Sequence, residues 1–173
     1  MIKNHFKNAV LLPGTVGAVL AIAMFLTLYF SGIYLFDLAF RLDVWITLPF
    51  IGISIWYFRK VTGGQLHFWQ GLVLGFFVNW VFLIVYSTFV IVFLEVLAPD
   101  FLDQSITQVI NAARSQEEMI RQSDPKFDYE TELSSLIHHA KNVTTWSHIA
   151  DKFIWFSILG TIFTFLLSVI LRK

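Results

Sequence analysis

The chain has 173 residues, of which 57% are hydrophobic and only 14% charged, and its mean hydropathy is +0.69. That balance falls outside the range of soluble domains and points to a single membrane domain, residues 1–173, carrying a modest polar insert. The lack of cysteine excludes disulfides, thiolate nucleophiles and Cys-based zinc or iron–sulfur sites, and a net charge of zero leaves no basic surface for nucleic acid.

Four apolar stretches are predicted to span a bilayer, at about residues 9–36, 44–58, 68–97 and 150–171, because a hydrocarbon core of roughly 30 Å needs about 20 helical residues. The first follows Lys3 and Lys7 and holds no charge from Ala9 to Phe36. Its Ala21-Ile22-Ala23 imitates a signal cleavage site, but the apolar run continues through Met24, Phe25 and Leu26, so an uncleaved anchor is expected. The second, Val44 to Phe58, is short and crosses only with Trp45 and Trp56 at the two interfaces and with Arg59 and Lys60 snorkelling outward. Gly63-Gly64 then makes a tight turn and lacks the remaining residues of a phosphate-binding loop.

The third stretch carries the features singled out for packing or function. Asn79 lies near its middle, where lipid offers an amide no partner, so a hydrogen bond to another helix worth about 0.6–2 kcal/mol is expected. Gly71 and Gly75 form a G-x-x-x-G step that lets a second helix approach, and Gly14, Gly17 and Gly160 offer matching smooth surfaces inside the protein or in a homo-oligomer. Glu95 falls at the outer end, within reach of water or Lys152. No ionisable group is expected in the centre of any span, which weighs against a proton relay.

Between the third and fourth spans, residues 98–148 read as two amphipathic helices. Leu102, Ile106, Val109, Ala113 and Ile120 share one face after a start signal at Pro99-Asp100, and Tyr129, Leu133, Leu136, Ile137 and Ala140 share another. Asp124-Pro125 separates the two helices, and Asn142 to Thr145 is the expected bend before the last span. The predicted fold is therefore all-α: an integral membrane four-helix bundle with an extracytoplasmic helical hairpin between spans 3 and 4. Orientation follows from charge. Lys3, Lys7, Arg59, Lys60, Arg172 and Lys173 mark one side, and all twelve acids, from Asp37 and Asp43 to Asp151, fall in the other polar segments. Basic residues are retained in the cytoplasm, which puts both termini there, in a multi-pass protein of the cell inner (plasma) membrane.

The order Gly63-Gly64, Gln65-Leu66-His67-Phe68 and Gln70-Gly71 opening a long span, then Pro99-Asp100-Phe101, an acidic helical insert and a final Arg172-Lys173, resembles an uncharacterised family of small four-span bacterial membrane proteins. That family, common in Bacteroidetes, is known as a domain of unknown function, the DUF4199 type. The resemblance covers nearly the whole chain and implies an integral inner-membrane protein, with no activity, cofactor or catalytic residue to carry over. His67 stands where the family pattern suggests a small or hydroxyl residue.

Chemistry-bearing clusters are sparse. His138, His139 and His148 with Glu132 and Asp151 are the one metal-type constellation, yet adjacent histidines on a helix point about 100° apart and no H-x-x-x-H or H-E-x-x-H spacing occurs. Asn142-Val143-Thr144 matches a glycosylation pattern of no consequence in a bacterial setting. Neither metal, cofactor nor enzymatic activity is expected. The reading is a non-catalytic scaffold or interaction protein whose partners are the lipid bilayer and a protein or second copy. The alternatives are a small-solute transporter or accessory subunit using Asn79 and a polar mouth at Gln65, His67 and Gln70, and an envelope enzyme sited at His138, His139, Glu132 and His148.

Overall fold

The computed structural model describes residues 2–32, 36–115, 128–142 and 144–171, and the elements among them are all helical. In chain order these are α1 (Ile2–Phe30), α2 (Phe36–Val61), α3 (Phe68–Val92, prolonged by a π turn over Phe93–Leu97), α4 (Phe101–Ser115), α5 (Tyr129–Lys141) and α6 (Thr145–Leu171). Among the described residues, three helical segments are long and apolar enough to cross a membrane: His5–Phe30, Phe68–Leu97 and Thr145–Leu171.

The first apolar run ends sooner than its hydropathy suggests. Ser31 donates to Thr27 O and Gly32 to Tyr29 O, both at 3.0 Å, and Gly32 takes φ +74°, a left-handed conformation that closes a helix and that a side chain would resist. Helix α1 therefore stops at Phe30 rather than Phe36. Helix α2 starts correspondingly early, at Phe36, so Asp37, Arg41 and Asp43 belong to it instead of to an outer loop. Its far end is built from Gly63 (φ +77°) and Gly64 (φ +86°), with Arg59 Nε donating to Gly64 O at 3.2 Å. Across that turn His67 N–H donates to the Gln70 side-chain carbonyl at 3.2 Å, which caps the start of α3.

Helix α1 packs on α2 and α3, α3 packs on α6, and α2 meets α1, α3 and α6. One contact explains a helical proline. Pro13 in α1 has no N–H to offer the carbonyl of Ala9, and the Ser54 hydroxyl of α2 donates to that carbonyl instead. The core divides into two clusters, one around Phe25, Phe82, Tyr86, Phe93 and Phe156, the other around Ile51, Ile55, Phe58, Leu74 and Val78. All six tryptophans are on the outside, together with Leu12, Ile162, Leu166 and Ile170. An apolar exterior around so few interior charges suits hydrocarbon as the solvent, since water would leave a patch far larger than a soluble surface tolerates.

In the insert, α4 and α5 lie in contact, and Tyr129 donates its hydroxyl to Ala113 O at 2.7 Å. Asp128 caps α5 by accepting from Thr131 N at 3.2 Å. The buried edge of α4 is offset from the expected stripe. Phe101 and Ser105 are buried, Leu102, Ile106 and Ala113 are half-buried, and Val109 is exposed, because Phe101 is drawn into the aromatic cluster on the long helices. Tyr129 is buried and Leu133 and Ile137 half-buried in α5. Ile120 and Asp124-Pro125 lie outside the described residues, as do the side chains of Leu136 and Ala140. The helix breaks after Lys141 and resumes at Thr145, where Thr144 and Ser147 exchange backbone-to-hydroxyl hydrogen bonds of 2.9 and 3.1 Å.

Candidate functional site

Residues four apart on α3 meet residues four apart on α6, running the opposite way. A Cβ on Gly71 would come within 2.6 Å of Ser168 Oγ, one on Gly75 would overlap the Thr164 side chain, and one on Gly160 would lie 2.7 Å from Asn79 Nδ2. The i, i+4 rows of the two helices thus interdigitate, and each glycine accommodates a specific polar side chain. The G-x-x-x-G step of α3 is occupied by α6 of the same chain. Gly14 is used in the same way, its missing Cβ leaving room for Val81 of α3, 2.8 Å from where that atom would be.

Asn79 is buried in this seam and donates from Nδ2 to Phe156 O of α6 at 3.2 Å, while its Oδ1 has no hydrogen-bond partner. Above it Phe82 stacks between Tyr86 and Phe156, with centroids 5.8 Å apart and planes within 10° on either side. Below it the hydroxyls of Thr164 and Ser168 are buried without a partner.

At the top of the seam sits the one enclosed ion pair among the described residues. Lys152 Nζ of α6 donates to Asp43 Oδ2 of α2, with side chains 3% and 0% exposed. The ammonium also lies 3.9 Å from the Tyr86 ring centroid and 5.0 Å from that of Phe156, so an aromatic residue of α3 flanks the pair. At about 1.5 Å per residue, Lys152 is roughly 10 Å into α6. Three helices thus converge on one charge pair, whose members neutralise each other inside the apolar core. Loss of one partner leaves a buried charge and typically costs about 3–5 kcal/mol, whereas an apolar replacement of both is often neutral.

Both residues are buried charges that the sequence reading does not anticipate, although neither lies at the centre of its helix. Asp43 and Lys152 lie close to the ends of apolar runs and so look like solvated flanks; the early start of α2 and of α6 puts both inside helices. Tyr86 and Ser54 carried no polar signal in their apolar surroundings. A usable signal did exist: the charge-free run 44–58 is shorter than a spanning helix needs, and extending it toward its N-terminus takes in Asp43, while Lys152 flanks the last apolar run.

The remaining candidates are placed apart from this site. Glu95 is exposed on the π turn, and Lys152, its expected neighbour, is engaged by Asp43. Gln65, His67 and Gln70 are exposed, with His67 and Gln70 joined in the helix cap. His138 is exposed, its Nδ1 3.3 Å from Asn142 Nδ2. The side chains of His139 and His148 lie outside the described residues, and among those described no three metal-type ligands come together.

Three apolar helices of spanning length, packed through glycines, are compatible with a multi-pass membrane protein. Residues 13–173 match the family model described as a protein of unknown function (DUF4199), and the chain belongs to that family. No curated protein and no solved structure matched the chain.

Proposed function

We propose that this is a non-catalytic four-span membrane protein of the bacterial inner membrane, with both termini cytoplasmic, whose helical bundle holds an acidic helical hairpin on the opposite face as a docking element for a protein partner. The observation that carries this reading is the closed interior. The polar groups at membrane depth are turned toward protein: Asp43 to Lys152, and Asn79 to Phe156 O. The grooves on the long helices open outward and are apolar, one of roughly 400 Å³ beside Trp69 and Phe76 and one of roughly 430 Å³ beside Trp45 and Leu159. Exposed polar groups gather instead on the insert, where Asp103, Gln104, Thr107 and Gln108 line a shallow depression on α4.

Removing residues 100–141 tests the docking role. A partner crosslinked to the intact protein in native membranes should be lost while the shortened chain still inserts and accumulates; retention of the same partner would defeat the reading. Orientation is tested separately by phosphatase fusions, active after Asn111 and inactive after Gly63. The second reading, a small-solute carrier or accessory subunit, draws on the Asp43–Lys152 pair itself, since ionisable groups at membrane depth often mark transport paths. It requires that Asp43→Asn abolish uptake or a proton-linked current in vesicles at unchanged protein level.

A further inference from the structure

Helices α1, α3 and α6 each contain a spanning length of apolar residues. Helix α2 is different. Its charge-free run extends only from Val44 to Phe58, below the range of about 17–25 residues that a spanning helix needs. Arg59 and Lys60 bring it only to the lower end of that range by snorkelling, so any greater length takes in the turn that includes Asp43, and an isolated carboxylate there opposes insertion. In the folded protein that carboxylate is wholly buried and its cation is Lys152, which lies 109 residues later in the chain.

We propose that the Asp43–Lys152 pair is what lets α2 become a stable span, so that α2 is committed across the bilayer only when α6 has entered and supplied its counter-charge. The inference rests on the four-span reading. It accounts for three observations together: a helix deficient in apolar length, a buried acid at its outer end, and a buried base on a helix whose remaining charge-free run, 153–171, reaches spanning length without it. Helix α2 also packs on α1, α3 and α6, so the partners that hold it in place include the one that neutralises it. The dependence is one-way. The long aliphatic stem of Lys152 allows its ammonium to rise toward the interface when Asp43 is absent, while the short Asp43 side chain has no such escape.

The natural chain has no cysteine, so single-cysteine labelling reads sidedness directly. In the full-length protein, Gln65→Cys and Asn111→Cys report the α2–α3 turn and the insert, both at exposed positions. With an impermeant maleimide added outside intact cells, Asn111→Cys should label and Gln65→Cys should not; labelling of both would refute the four-span reading before the pair is touched. Adding Lys152→Leu should make Gln65→Cys label from outside and, because α3 still crosses between the two reporters, Asn111→Cys should lose its labelling. Adding Asp43→Leu to Lys152→Leu should restore protection. Continued protection in Lys152→Leu alone overturns the proposal. Where Lys152→Leu is degraded, recovery of both protein level and protection in the double variant supports it, and failure of the double variant to recover either one overturns it.

Discussion

Asn79 and Gly160 act as one unit. The glycine's bare Cα lets the amide reach Phe156 O, and a Cβ there would fall 2.7–2.8 Å from the Asn79 side-chain nitrogen and Cγ. Gly160→Ala is therefore expected to push Asn79 off its bond and destabilise the protein by about 1–3 kcal/mol, the usual penalty of overpacking. Asn79→Ala should cost about 0.6–2 kcal/mol, the range for interhelical hydrogen bonds. Because Asn79→Ala also removes the obstruction, Gly160→Ala should be nearly harmless in that background. A double-mutant cycle by thermal or denaturant unfolding in detergent would show a coupling of about 1 kcal/mol or more; additive losses would mean that the two residues act independently. The sequence made Asn79, Gly71 and Gly75 conspicuous, because an amide and paired glycines stand out in an apolar run. It did not name their partners. Thr164 and Ser168 are ordinary small residues in a spanning helix, and only the antiparallel register of α3 and α6 sets them opposite the glycines.

Among elements, those legible from hydropathy were the three with apolar runs long enough to cross a bilayer. Their boundaries were less legible where a local backbone device overrode hydropathy, as Gly32 does at the end of α1. Helix α2 was foreshadowed only by its central stretch, since a buried acid looks the same in sequence as a solvated one. The insert showed its helical period but not its phase, because Phe101 is held by contacts far away in the chain. Its ring lies edge-on to Phe25, Tyr29 and Phe93 at centroid distances of 5.8, 5.4 and 5.7 Å. Phe101 is thus the point at which the insert is pinned to the long helices. Phe101→Ala should remove a buried aromatic worth about 3–5 kcal/mol and loosen α4 while leaving the long helices assembled. Limited proteolysis of reconstituted protein should then cut within residues 98–128 at least several times faster, with the spanning fragments still protected. By contrast, Tyr129→Phe removes a single hydrogen bond to Ala113, worth about 0.5–1.5 kcal/mol, and should change that cleavage far less. Equal effects from the two substitutions would place the anchor at the α4–α5 contact rather than at Phe101.

At the scale of the whole molecule, α2, α3 and α6 are joined by one small charged cluster, and its energetics differ from those of the seam below it. Apolar contact between helices gains little over contact with lipid tails, so packing alone gives weak preference for one arrangement. An ion pair in the same medium behaves differently: it contributes little net stability relative to apolar replacements, yet it strongly penalises any arrangement that separates its members. The pair therefore acts chiefly by excluding wrong neighbours of α2. Four purified proteins would separate these two effects: the parent, Asp43→Leu, Lys152→Leu, and the double variant. Lys152→Leu leaves a buried carboxylate and should lose about 3–5 kcal/mol. Asp43→Leu should lose less, because Lys152 can carry its charge outward along its stem and retain the Tyr86 ring as a neighbour. The double variant should unfold within about 1 kcal/mol of the parent or be more stable, since two leucines fill the site without any charge to desolvate. Unfolding in mild detergent, followed by tryptophan fluorescence, would rank the four. A double variant as unstable as Lys152→Leu would show that the site depends on the polar contact between the two side chains rather than on charge neutrality.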